Sequence, residues 1–78
     1  MEKYETKDFY QSVILKTYGL KLIGLDRGIN KFVTFIFEDP NNEAETVLQN
    51  YWNRTLNLQA RDLIENISEL KTRIHSGV

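Results

Sequence analysis

The decapeptide Lys31–Pro40, KFVTFIFEDP, decides how this chain is read, because as a β-strand it is apolar on both faces. Strand side chains alternate, so Val33, Phe35 and Phe37 point one way and Phe32, Thr34 and Ile36 the other. Upstream, LKLIGLD (20–26) is a second β-rich run, and a Gly- and Asn-containing loop separates the two. The pair reads as a hairpin over 20–26 and 31–38. Facing Asp26 with Lys31 pairs Gly24 with Val33 and Leu22 with Phe35. That register gathers Leu20, Leu22, Gly24, Val33, Phe35 and Phe37 on one face, and Lys21, Ile23, Leu25, Phe32, Thr34 and Ile36 on the other. The first set is expected to be the core face, with Gly24 leaving room for a helix to approach.

Outward from the hairpin the pattern turns helical. Residues 2–6, EKYET, read as a short edge strand, and Thr6 as the N-cap of a helix over Lys7–Tyr18 with Phe9, Tyr10, Val13, Ile14 and Tyr18 at helical spacing. Gly19 is placed to end it with a positive φ. Beyond Pro40, Asn42 and Glu45 resemble a capping box, and Ala44, Val47, Leu48, Tyr51 and Trp52 form an apolar stripe running to about Asn53. Asn57 can cap a third helix whose Ala60, Leu63, Ile64, Ile67, Leu70 and Ile74 share a side, while the tail HSGV frays. The order β-α-β-β-α-α predicts an α+β fold: a small antiparallel sheet with three helices, one domain over 1–78.

Composition removes several functions. The chain has no cysteine, which excludes disulfides and thiolate metal sites. Its net charge of −1 gives no basic field to draw it onto nucleic acid or anionic lipid. The amino-terminal segment is charged from its second residue and no run approaches a membrane span, so a cytoplasmic location and no membrane are expected. The only histidine, His75, lies near the carboxyl end, and Ser12, Ser68 and Ser76 have no positioned base, so no enzyme is expected. Asp39, Asn41 and Glu43 alternate like calcium ligands, but an EF-hand loop starting at Asp39 would need glycine and glutamate where Ala44 and Asn50 stand. Gly19, Gly24 and Gly28 are too far apart to cradle a phosphate. No metal and no cofactor are expected.

The segments YETKDF (4–9), YGLKLIGLDRG (18–28), FIFED (35–39), YWN (51–53) and ELKTRI (69–74) resemble a family of short uncharacterised bacterial, archaeal and phage proteins, a domain of unknown function. The resemblance spans nearly the whole chain. It rests on turn and core residues, so it implies a single domain and a phage or mobile-element origin, but no activity, ligand or site.

What remains is the second sheet face. Ile23, Leu25, Phe32, Thr34 and Ile36 are expected to form an apolar patch, covered either by the third helix or by a second copy of the chain. The expected function is a non-catalytic interaction module, a homodimer through that face or a binder of another protein. The alternative is a nucleic-acid-binding accessory protein of a mobile element, with Lys21, Arg27 and Lys31 meeting phosphates and Phe32 stacking a base. Trp52 is expected to anchor the helix–sheet interface, or, with Arg54, to be an interaction hot spot.

Overall fold

The computed structural model describes residues 2–28 and 32–75; residues 1, 29–31 and 76–78 lie outside them. The elements are β1 (Lys3–Thr6), α1 (Phe9–Tyr18), β2 (Lys21–Asp26), β3 (Thr34–Glu38), α2 (Ala44–Trp52) and α3 (Ala60–His75), in the expected succession. The sheet order is β1-β3-β2, with both outer strands antiparallel to β3. β1 and β2 therefore run parallel, with β3 inserted between them.

The hairpin register differs from the expected one. Lys21 pairs with Glu38 and Leu22 with Phe37; after a bulge, Gly24 pairs with Ile36, Leu25 with Phe35 and Asp26 with Thr34. Two things cause the change. The strand resumes only at Thr34, so the loop is longer than a tight turn, and the bulge adds one residue to β2, which reverses the facing of everything after it. Leu22 stays on the core side as expected. Leu25, however, turns inward to pack on the core, and Gly24 turns outward, where an added Cβ would lie 3.6 Å from Ile36 Cδ1. No helix uses Gly24 as a close approach.

Phe35, Phe37 and Val33 meet Ile14 and Leu15 of α1 and Ala44, Val47 and Leu48 of α2 in one core. Phe9 closes it from the side, its ring centroid 6.4 Å from that of Phe35. Helix α1 starts later than expected because β1 holds Thr6 in register with Phe35. Asp8 is the N-cap instead, its Oδ1 accepting from Gln11 N at 3.0 Å, while Thr6 Oγ1 accepts from Asp8 N at 3.1 Å. Gly19 ends the helix at φ 129°, as its position suggested.

Helix α2 is not held by the Asn42–Glu45 box. Asn42 takes φ 53° in the turn after Pro40, and Asp39, only 4% exposed, caps the helix from four and five residues upstream. Its Oδ1 accepts from Glu43 N at 2.7 Å and its Oδ2 from Ala44 N at 3.1 Å. A buried carboxylate is tolerated here because two otherwise unpaired amides at the positive end of a helix compensate its lost hydration.

Helix α3 begins at Ala60, beyond the reach of an Asn57 cap, with Gln59 O accepting its first bond from Leu63 N at 3.0 Å. It packs on α1: Leu70 is fully buried, Asn66 Nδ2 donates to Thr17 Oγ1 at 3.0 Å, and Lys16 pairs with Glu69 at 3.6 Å. It does not cross the sheet. All three helices lie on the Phe35 side.

Replacing Asp39 with alanine should cost about 2 kcal/mol, which for a domain this small lowers Tm by roughly 10 °C in a calorimetric scan. An unchanged Tm would show that the cap is dispensable. A second expectation concerns alkaline pH. The Tyr4 phenol is raised above its ordinary value of 10.0, first by burial and then by the charges of Glu45 and Asp39. The unfolded chain therefore releases that proton first, so stability present below pH 10 falls as pH rises from 10 through the folded value. Tyr4→Phe should flatten that limb of the denaturant-midpoint profile relative to the parent chain.

Candidate interaction surfaces

The outer sheet face can be built row by row from the pairing. At one end Glu38 lies between Lys3 and Lys21; in the middle Ile36 lies between Glu5 and Gly24; at the other end Thr34 faces Asp26. Ile23 is exposed at the bulge and Phe32, just before β3, is 66% exposed. Of the five residues expected to make the patch, Ile23, Phe32, Thr34 and Ile36 stay away from the core, and Leu25 does not. The face is thus a narrow apolar line along β3 framed by alternating charges. Two edge strands flank it, and nothing in the described residues covers it.

The residues proposed for nucleic acid are not assembled into one cationic surface. Arg27 is turned back onto the fold, its guanidinium donating to the backbone carbonyl oxygens of Ile74 and, at 3.4 Å, Arg73 at the carboxyl end of α3. Those carbonyls are the negative end of the helix, so a cation there is a structural counter-charge. Lys21 is cross-strand to Glu38, and Lys31 lies outside the described residues. Phe32 alone keeps the exposure that stacking would require.

The helical side holds a second surface, one that the periodicity did not reveal. Trp52 is not a core anchor: it is 71% exposed, and Tyr51 beside it, with ring centroids 5.5 Å apart at 60°, is itself partly exposed. The stripe of α2 centres on Ala44, Val47 and Leu48, and Trp52 sits roughly 80° off that line at about 100° per residue. Tyr10 of α1 is 59% exposed across the gap. Between these aromatics run two open grooves. One, of about 330 Å³, is lined by Tyr4, Gln11, Glu45, Gln49, Trp52 and Asn53, with Leu48 at its floor. The other, of about 190 Å³, is lined by Asp8, Tyr10, Gln11, Tyr51 and Trp52. Trp52 and Gln11 border both, so the indole forms a ridge between them. A third hollow of about 140 Å³ continues the surface to Leu63 and Ile67 of α3. Arg54, expected to act with Trp52, lines none of these; it takes φ 63° in the turn after α2.

Among the described residues no three of His, Asp and Glu come together as a metal site would require, and no helix is long and apolar enough to cross a membrane. Asn41 and Glu43 serve the turn, Asn41 Nδ2 donating to Glu43 Oε1 at 3.3 Å, and Tyr18 OH donates to Glu43 Oε2 at 2.9 Å, which raises the Tyr18 phenol above its ordinary value. Ser12 Oγ donates to Asp8 O at 2.9 Å from a fully buried position.

Comparison with the curated proteins finds no match, and comparison with the solved structures finds none either. A family model does match, over residues 1–76, which is nearly the whole chain and takes in every element from β1 to α3. The chain belongs to the family described as Domain of unknown function (DUF5659).

Proposed function

We propose that this domain is a non-catalytic interaction module that self-associates, two copies packing their outer sheet faces together as a two-fold dimer. The observation that carries the reading is the one-sidedness of the fold: three helices share the Phe35 side, and the opposite face presents Phe32, Ile23 and Ile36. A chain of 78 residues without cysteine has few other ways to add burial.

Charge supports one arrangement of the two copies. The Lys3–Glu38–Lys21 row carries a net positive charge at one end of the face, and Asp26 is negative at the other. If the strands of the two copies run in opposite directions, the two-fold axis sets the lysines of each over Asp26 of its partner, and each contact is made twice. Size sets the strength. Three strands span only about 10 Å by 17 Å, so each copy contributes less than the roughly 800 Å² typical of a tight complex. The dimer is therefore a weak one, in the micromolar range or above. A cytoplasmic setting goes with this reading, and no cofactor enters it.

Sedimentation velocity over a range from a few to several hundred micromolar should show a concentration-dependent shift from monomer to dimer. Phe32→Lys combined with Ile36→Lys should hold the chain as a monomer across that range with its helical circular dichroism intact. A parent chain monomeric throughout, or a double variant that dimerises as before, would overturn the proposal. A gel shift with oligonucleotides at low salt, abolished by Phe32→Ala, would instead favour nucleic acid.

A further inference from the structure

We propose that the Trp52 ridge on the helical side binds an arginine side chain presented by an extended segment of a partner protein. The argument starts from what lines the two grooves. Each has the indole as a wall, each has one carboxylate, Glu45 in the larger and Asp8 in the smaller, and neither is lined by a lysine or arginine. Amide side chains supply the rest of the polar lining: Gln11 in both, Gln49 and Asn53 in the larger. Asp8 Oδ1 and Gln11 Oε1 already accept bonds within the fold, from Gln11 N and Thr6 Oγ1, so it is Glu45, Gln49 and Asn53 that an apolar partner would strip of water without replacement, and an acidic one would meet like charge.

A guanidinium answers every part of the lining. Its flat face stacks on an indole, the strongest of the aromatic partners for a cation, while its five donors lie in the plane and point outward. In the larger groove the carboxylate of Glu45 and the side-chain amides of Gln49 and Asn53 line the space those donors would occupy, while Gln11 Oε1 already accepts from Thr6 Oγ1 at 3.0 Å. An ammonium has neither the flat face nor the fan of donors, so arginine is preferred over lysine. The Tyr4 phenol on the wall of the same groove is raised first by burial and then by the charges of Glu45 and Asp39, in keeping with the carboxylate in the lining. The ridge is exposed and open at both sides, which suits an extended strand of chain crossing it, with the neighbouring hollow against Tyr51, Leu63 and Ile67 free for an apolar side chain of the same segment. This surface lies on the helical side, away from the outer sheet face, so either proposal can fail without the other.

Trp52 is the only tryptophan, so its emission reports on the site alone. The probe is a capped heptapeptide alternating arginine with leucine, compared with the same peptide carrying citrulline, which keeps the shape and removes the charge. The arginine peptide should quench Trp52 emission saturably and shift the side-chain amide resonances of Gln11, Gln49 and Asn53. The citrulline peptide should bind about tenfold more weakly, and Glu45→Gln should weaken the arginine peptide about threefold while the domain stays folded, because Glu45 is exposed and its loss removes only a first-turn charge from α2. A lysine peptide should fall between the two. Equal binding of the arginine and citrulline peptides would overturn the charge-based assignment, and an absence of saturable quenching by any of them at millimolar concentration would overturn the site.

Discussion

The burial of α1 from two sides is the constraint on which the rest of this fold depends. One side of the helix supplies Ile14 and Leu15 to the sheet and α2; another takes α3, through Val13 at 1% exposure and the Thr17–Asn66 and Lys16–Glu69 contacts. A helix enclosed this way has no room for side-chain volume where neighbours converge, and Ser12, fully buried, is the sign of it. Its hydroxyl would be costly to bury unpaired; bonding to the carbonyl of Asp8 removes that cost without enlarging the residue. Helix α3 depends on α1 for most of its attachment. It also reaches the rest of the core through Ile74 and through the two terminal carbonyls that Arg27 holds.

Much of the fold was legible because its signals are local. Gly19 stops α1, Pro40 separates β3 from α2, and the alternation of Val33, Phe35 and Phe37 marks the buried face of the central strand. What was not legible depended on counting residues across a loop. A hairpin register is fixed by the loop and by any extra residue in a strand, and one bulge at Ile23 exchanged the positions of Gly24 and Leu25. The cue was present, since a glycine inside a strand pattern is itself a mark of a bulge. Asp39 was readable as a turn residue but not as a cap, because its carboxylate reaches amides four and five positions away, outside the usual capping spacing. Of the surfaces, the sheet-face residues were named with Leu25 wrongly among them, while Trp52 was read either as a core anchor or as a hot spot with Arg54, and the structure exposes it without bringing Arg54 into its grooves.

The two surfaces differ in kind, and the difference follows from the elements that make them. A sheet face has its side chains set by pairing, so its apolar line and its charged rows are fixed relative to one another, with the lysine row at one end and Asp26 at the other. The ridge is made where helices end and begin, by the last residues of α2 and the first turn of α1, and the grooves on its two sides differ in size and lining. The proposed dimer rests on the first kind of surface and the proposed arginine site on the second.

The position of β1 in the sheet bears on how the chain assembles. β1 touches no strand but β3, and Lys3 finds Glu38 only after all of α1 and β2 have been placed between them. The β2–β3 hairpin closes a short loop, whereas joining β1 closes a loop several times longer, with the correspondingly larger entropic cost. Loop closure therefore favours forming the hairpin before the four-residue strand joins it. The same order runs backwards in the native state: β1 is the element whose release breaks one strand pairing and leaves the hairpin standing, which makes it the natural site of sub-global opening and of the fastest amide exchange within the sheet.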